Sequence, residues 1–428
     1  MERTAKLTFG DQTIELPVVE GSEGELGVDI TSLRAQTGLI TLDPGFVDTG
    51  VCQSGITYVD GENGVLRYRG IPIEQLARHS NFVETSFLLI YGHLPDKQEL
   101  DRFGARVTAN AALHESFKHH FEGFPVDAPP MAMLSAMVNT LVCYYPRVQR
   151  SGGEKFDEEE ATWLLSKTRT IAAYSYRRSM GYPFIYSNPR LSYAGDFLHM
   201  LFSQPLEEYI APPEIVDALN LILILHADHE LGCSTTTVRI VGSSQANLFA
   251  SSAAGICSLW GPVHGGATIA VIEMLEAIER GEMTIDQTLA LAKNHQSGFR
   301  LKGFGHRIYK QFDPRALLLK DAALKLLGRL GKRDPLIDVA LQLEERALKD
   351  SYFIDHRLFP NADFYNGILM RAVGIPRNMF TVIFAIGRMP GWIAHWREQN
   401  ADPGVRIARP RQLYMGPLET TYVPIEER

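Results

Sequence analysis

From about residue 70 onward, almost nothing in this sequence alternates with the two-residue period of a strand. Helix signals follow one another instead. Pro212 and Pro213 open a segment reaching His229 that is apolar on most sides, as expected of a helix inside a large core. Asp334 offers an N-cap and Pro335 a residue preset for the first helical position, after which Leu336, Ile337, Ala340, Leu341 and Leu348 form one stripe. Asp313 and Pro314 start another helix in the same way, and Gly331 marks its end. Before residue 70 the texture differs. Leu7, Phe9, Ile14 and Leu16 alternate around Gly10-Asp11, while Ile56 to Val59 and Val65 to Tyr68 flank the turn-forming stretch Asp60 to Gly64. The expected fold is mainly α with a small N-terminal β segment.

A chain of 428 residues buries an ordinary core without disulfide staples. The loops richest in breakers are Gly123 to Pro130 and Gly152-Gly153. Near residue 268, small-residue apolar segments give way to charged amphipathic helices, and apolar sequence returns at about residue 379. These changes suggest a β-rich segment over 1–70, a large helical domain over 71–267 and 379–428, and a small helical domain over 268–378 inserted into it.

The net charge of -8 argues against bulk attraction to nucleic acid or an anionic membrane, so any anionic ligand must be met by a local positive field. Cys52, Cys143, Cys233 and Cys257 are far apart and contain no C-x-x-C pair; they read as reduced core thiols of a cytosolic protein. The charged start at Glu2, Arg3 and Lys6 does not read as a secretory signal. The apolar run Met379 to Gly387 is broken by Arg388, and Gly242 to Val263 is too polar for a membrane helix. A soluble cytoplasmic protein is expected.

Three segments place a polar residue where the backbone is unusually bare. Gly261 to Gly266 frames His264 with glycines just before a helix beginning near Ala267, where a helix N-terminus favours a neutral, hydrogen-bonding imidazole. A loop histidine with a purely structural bond is the plainer alternative. Gly303 to Lys310 frames His306, and between Arg300 and Arg315 five basic residues face one acid. Arg315 falls in the first turn of a helix, against the dipole, which suggests an anion nearby; a solvated basic face is the alternative. Pro360 to Tyr365 carries Asp363 into an apolar helix, either as an N-cap or as a desolvated carboxylate able to act as a base. Two signals are weaker. His226 and His229, three apart on one helical face, match no zinc motif. Arg388, Arg397, Arg406, Arg409 and Arg411 form a second basic group against Glu398 and Asp402, suited to gripping carboxylates.

Taken together in order, the His264 loop, Gly303 to Arg315, Pro360 to Asp363 and Ile407 to Tyr414 resemble the citrate synthase family. The resemblance covers nearly the whole chain and extends to the β segment of the longer bacterial members. It implies a two-domain helical fold closing around a cleft, and condensation of acetyl-CoA with oxaloacetate followed by thioester hydrolysis, with no metal or other cofactor. It further implies that Asp363 is the base, that His264 hydrogen-bonds the thioester carbonyl, and that His306 polarises the oxaloacetate carbonyl. Oxaloacetate would be held by His229, Arg315, Arg388 and Arg409, the last from a neighbouring subunit of an obligate homodimer; homohexamers recur among the long bacterial relatives. Arg300, Lys302, Gly303, Gly305, Arg307, Lys310 and Asn361 are the candidate CoA residues. Some Gram-negative relatives are inhibited by NADH through an Arg-His-Thr run, where this chain has Ala109-Asn110-Ala111, and through a basic position occupied here by Trp163, although Lys167 is retained. Weak or absent NADH inhibition is therefore expected. The nearest alternative is 2-methylcitrate synthase, which uses propionyl-CoA with the same catalytic residues. A silent acyl-CoA-binding scaffold and a zinc hydrolase are more distant readings.

Overall fold

A computed structural model describes residues 3–145 and 158–428, so the Gly152-Gly153 loop and Glu2 lie outside the described residues. The chain forms two compact units, Met1–Ser54 with Ile407–Arg428, and Gly55–Arg406.

In the first unit, strands β1 (Thr4–Phe9), β2 (Gln12–Glu20) and β3 (Leu26–Val28) form one antiparallel sheet. The β1–β2 turn falls at Gly10 and Asp11, with Phe9 paired to Gln12, and Gly10 has φ of 60°. Ile14 and Leu16 form a small core with Leu33, whereas Leu7 and Phe9 on β1 are exposed.

The second unit holds the other small sheet and the main helical core. Strands β4 (Thr57–Asp60), β5 (Val65–Tyr68) and β6 (Ile71–Pro72) are antiparallel neighbours in that order. The turn between β4 and β5 seats against the His306 segment. A Cβ on Gly61 would stand 2.2 Å from the Ile308 carbonyl oxygen, and one on Gly64 2.8 Å from that of Phe312. Lys310 N–H donates to the Gly61 carbonyl at 2.8 Å. These glycines thus serve close approach as well as turn formation.

The proline-initiated helices form largely as their sequences predict. Asp313 and Asp334 each cap a helix, Pro314–Arg329 and Pro335–Ala347, by accepting from the N–H two residues on. The buried stripe of the second differs in detail: Leu343, Glu344 and Ala347 complete it, while Leu341 and Leu348 are only half-buried. The helix opened by Pro213 ends at His226, three residues earlier than expected. The reason is tertiary. Gly391 N–H donates to the Ala227 carbonyl at 3.1 Å, the Arg388 Nε donates to the His226 carbonyl at 2.6 Å, and Tyr68 Oη donates to the Asp228 carbonyl at 2.9 Å. Carbonyls that would have continued the helix are satisfied elsewhere. Arg388 and Gly391 lie on Phe380–Ala401, a long helix that tolerates Pro390 in its interior.

Cys143, Cys233 and Cys257 are exposed rather than core residues, because each lies on a solvent-facing side of its helix, and Cys52 is half-buried. Among the described residues, no helix is long and apolar enough to cross a membrane.

Candidate active site

His264 sits in the turn before the helix Ala267–Glu279, capped by Gly266. Its Nε2 accepts from Ser234 N–H at 3.4 Å and lies 2.9 Å from Ser234 Oγ. A nitrogen that accepts from a backbone amide carries no proton, so in the neutral ring the proton is on Nδ1. Burial, and then the Arg388 guanidinium, lower the pKa of His264 to about 4. Desolvation and a neighbouring cation keep the ring neutral, where its sequence context pointed to the helix N-terminus.

His306 is built on the same plan with the nitrogens exchanged. Its Nδ1 accepts from the N–H groups of Ile308 at 3.1 Å and Tyr309 at 3.2 Å, which leaves Nε2–H as the donor. Burial, followed by Arg315, lowers its pKa to about 4. The site therefore offers two neutral imidazoles at physiological pH, each with one nitrogen committed to backbone and a donor opposite.

Asp363 is not the N-cap of its helix. Asn361 takes that role, accepting from Asp363 N–H at 3.0 Å, and Asp363 occupies the first turn of Ala362–Val373. Its Oδ1 accepts from the Thr268 hydroxyl at 2.5 Å. Burial raises its pKa above the usual carboxylate range. The cap also ties Asp363 to the His306 loop. Asn361 N–H donates to the Gly303 carbonyl at 2.9 Å, and Asn361 Nδ2 to the Gly305 carbonyl at 2.9 Å. Gly303 has φ of 77°, and a Cβ there would stand 2.8 Å from the Phe364 ring. Of the expected CoA residues, Asn361, Gly303 and Gly305 thus form the joint between the His306 and Asp363 segments, while Arg300, Lys302 and Arg307 are exposed and Lys310 half-buried.

The cations are of different kinds. Arg315 is buried and doubly bonded to Asp313, Nε to Oδ1 at 3.0 Å and Nη2 to Oδ2 at 2.8 Å. The anion inferred from its placement against the dipole is thus supplied within the chain. Asp313 also accepts from Ala362 N–H at 3.0 Å, so the same carboxylate fixes the start of the Asp363 helix. Arg388 is 2% exposed, and burial depresses its pKa. No ion pair links it to a carboxylate among the described residues; its guanidinium carbon lies 5.1 Å from the centre of the Phe384 ring. Phe384 in turn lies 6.0 Å from the His264 ring. A Cβ on Gly232 would be 3.9 Å from His264 Cε1 and 4.0 Å from Arg388 Nη1, which places histidine and arginine around one point.

His229 follows its helix rather than riding on it. Its ring is 5.5 Å from that of His306, and its Nε2 is 3.1 Å from Tyr309 Oη. Burial, then Arg315, holds its pKa well below the ordinary value. His226 points elsewhere, with Nδ1 donating to the Ile222 carbonyl at 2.7 Å. Among the described residues, no group of three or more His, Cys, Asp or Glu side chains could hold a metal ion. Arg409 lies in the first unit, where it is exposed, as is Arg411; Arg406 is exposed at the end of the second unit, and Arg397 bonds the Ile90 carbonyl.

Sequence reasoning passed over Ser234, Thr268, Tyr309, Asn366, the buried pair Asp228–His395 at 3.3 Å, and the pairing role of Asp313. Only Tyr309 and Asp313 carried a signal, since both lie inside the basic run already singled out. At the NADH-related positions, Lys167 is buried and donates to the carbonyls of Asn110 at 2.7 Å and Ala112 at 2.8 Å. Burial lowers its pKa to about 8, and Trp163 packs on Tyr145 with ring centroids 4.7 Å apart.

Residues 45–411 match the family model described as "Citrate synthase, C-terminal domain". "Citrate synthase 1" of Mycobacterium tuberculosis is 49% identical over 425 residues, covering 99% of each chain. The citrate synthase of Corynebacterium glutamicum is 47% identical over 427 residues, covering 99% of this chain and 97% of that protein. Among solved structures, citrate synthase from Pyrobaculum aerophilum superposes with a TM-score of 0.82 at 33% identity over all of both chains. The citrate synthase from Thermoplasma acidophilum, solved as a ternary complex with carboxymethyl coenzyme A and oxaloacetate, gives 0.79 at 31% identity over 91% of this chain and 100% of its own.

Proposed function

The chain belongs to the citrate synthase family, and from that premise we propose that its two neutral histidines and Asp363 carry out the condensation of acetyl-CoA with oxaloacetate and the release of citrate and CoA. The observation that carries the residue assignment is the pair of buried imidazoles whose tautomers are fixed by backbone. Each has one nitrogen held as an acceptor by backbone N–H, which leaves His264 Nδ1–H and His306 Nε2–H to donate.

In this reading the condensation first gives citryl-CoA, and a water molecule then adds across its thioester, leaving citrate and CoA thiol. Asp363 begins the sequence by removing a proton from the acetyl methyl group. His264 donates to the thioester oxygen as the enol forms, and His306 donates to the oxaloacetate carbonyl as the new carbon–carbon bond pushes charge onto its oxygen. Fixed donors aimed where negative charge develops are the largest catalytic term available, and a neutral imidazole whose other nitrogen is held as an acceptor presents one N–H in a fixed direction. A carboxylate raised by burial is a stronger base than one in water. Arg388, buried without a carboxylate partner among the described residues, is the cation with most to gain from an anionic substrate. Arg315 and His229 complete the oxaloacetate group, with Arg409 reaching it from the second subunit of a homodimer. In favour of that dimer, the first unit exposes Met415 at 90%, Leu418 at 91%, and also Phe9, Tyr414 and Tyr422. Larger assemblies of such dimers are compatible with it. Arg300, Lys302, Arg307 and Lys310 are the cations we assign to CoA, with the segment 268–378 as the smaller domain closing over oxaloacetate against 71–267 and 379–428. The reaction as written needs no metal or prosthetic group, and we place it in the cytoplasm.

The test is release of free CoA thiol from acetyl-CoA plus oxaloacetate. We expect kcat/KM for acetyl-CoA to exceed that for propionyl-CoA, although a single methylene discriminates by only about 1–3 kcal/mol. A ratio favouring propionyl-CoA would make this a 2-methylcitrate synthase. NADH at micromolar concentration is expected to leave the rate unchanged, because the Lys167 amine is already bonded to two carbonyls and Trp163 stands where a cation would be needed. Half-inhibition in that range would overturn this reading.

A further inference from the structure

We propose that Thr268 is a positioning residue for Asp363, its hydroxyl aimed at Oδ1 by a buried chain of polar groups that runs through Asn366 to His226. The inference rests on Asp363 being the base and deepens that reading.

Asp363, Asn366 and Gly367 lie three and four residues apart, on one face of Ala362–Val373. That face packs on Ala267–Glu279 at unusually short range. A Cβ on Gly367 would stand 2.6 Å from Ile272 Cγ1 and 3.1 Å from Thr268 Cγ2. Glycine permits the approach, and the approach brings Thr268 Oγ1 to 2.5 Å from Asp363 Oδ1. Thr268 is 3% exposed and Asn366 wholly buried, so water does not compete for these bonds.

The direction of each bond follows from one end. The Ile222 carbonyl can only accept, so His226 Nδ1, 2.7 Å away, carries the proton. Burial lowers the pKa of His226 to about 3, which keeps the ring neutral and leaves Nε2 with a lone pair. Asn366 Nδ2, at 3.2 Å, must donate to it, which settles which way the amide faces. The same Nδ2 lies 3.5 Å from Thr268 Oγ1, so the amide approaches that oxygen as a donor and the hydroxyl proton is left for Asp363. A threonine hydroxyl is ordinarily free to rotate; here it is held as a donor.

Two consequences follow for the base. Oδ1 is engaged, so Oδ2 is the oxygen that takes the proton. The donated bond also favours the ionised form, against burial, which favours the neutral one. The other charges facing Asp363 are Arg315, which favours ionisation, and Asp313, which opposes it, and these two are paired with each other. Burial keeps His264 and His306 neutral, so neither adds a charge.

The experiment compares Thr268→Val, which keeps the shape and removes the hydroxyl, with Thr268→Ser, which keeps the hydroxyl, in the CoA-release assay across pH. Thr268→Val is expected to lower kcat about tenfold and to move the acid-side ionisation of kcat up by about one pH unit, with KM for oxaloacetate unchanged. Thr268→Ser restores both kcat and the profile. Asn366→Leu, which leaves the hydroxyl but frees it to rotate, shifts the profile the same way by less, and serves if the valine variant does not fold. A valine variant with the wild-type profile, or a loss of kcat that serine does not rescue, overturns the proposal. Full activity in Asp363→Asn would instead remove the base itself, so the two failures are told apart.

Discussion

Asp363→Asn is expected to lose about 10²–10⁴-fold in kcat while binding oxaloacetate as the wild type does. The substitution is nearly isosteric, and the amide oxygen can still accept from Thr268, so the change isolates the loss of a proton acceptor. CoA-thiol release measures kcat, and oxaloacetate-dependent thermal stabilisation measures binding. Activity near wild type would remove Asp363 from the mechanism. The same variant should unfold at an equal or higher temperature than the wild type at neutral pH. Burial raises the folded-state pKa of this carboxyl above its unfolded value. Such a group favours the fold when protonated, below its unfolded pKa, and that contribution is lost as pH rises through the folded pKa. At neutral pH the wild type therefore carries the cost of a buried carboxylate, and the amide does not. A stability cost held at a reactive group is the usual signature of function.

Gly391→Ala should be a severely damaging small substitution, and one that reaches the oxaloacetate group. Its Cβ would stand 2.3 Å from Asp228 Oδ1 and 2.4 Å from the Ala227 carbonyl oxygen. Neither neighbour can yield easily. Asp228 is buried against His395, and the Ala227 carbonyl accepts from Gly391 N–H. Overpacking of this kind costs about 1–3 kcal/mol, and more where backbone must shift. The turn that would shift carries His229 and receives Arg388 at the His226 carbonyl, so loss of oxaloacetate affinity is expected along with a lower unfolding temperature. Differential scanning fluorimetry with and without oxaloacetate reads both. An alanine variant with unchanged melting and unchanged oxaloacetate protection would show that the turn is not clamped as described.

The mainly helical fold was legible because its signals are local. Asp313-Pro314, Asp334-Pro335 and the turn-forming stretch Asp60 to Gly64 each act within a few residues, and each formed the element it implied. His264, His306 and Asp363 were legible for a related reason, since glycines or a helix start beside a polar side chain mark backbone that must come close to something. What escaped was tertiary. The end of the helix at His226 depends on bonds from Arg388, Gly391 and Tyr68, none of which leaves a trace near residue 226. Asp313 looked like a cap and is one, but its second role as the Arg315 counter-ion is visible only once the side chain folds back. Thr268 and Asn366 have no motif at all, because their importance comes from two helices meeting at Gly367. The cysteines were misplaced because composition says nothing about which face of a helix a thiol occupies.

The hairpin turn at Gly61 and Gly64 also bears on how the protein comes to life. The loop that holds His306 is braced on one side by that turn and on the other by Asn361, and neither brace is a sequence neighbour. The remaining clamps are also long-range: 95 residues separate Thr268 from Asp363, and 162 separate His226 from Arg388. Contacts between distant residues pay loop-closure entropy before they return any stability, so they close slowly and late. On the ribosome, helices can form as they emerge, but the contacts that assemble the candidate site await the last third of the chain.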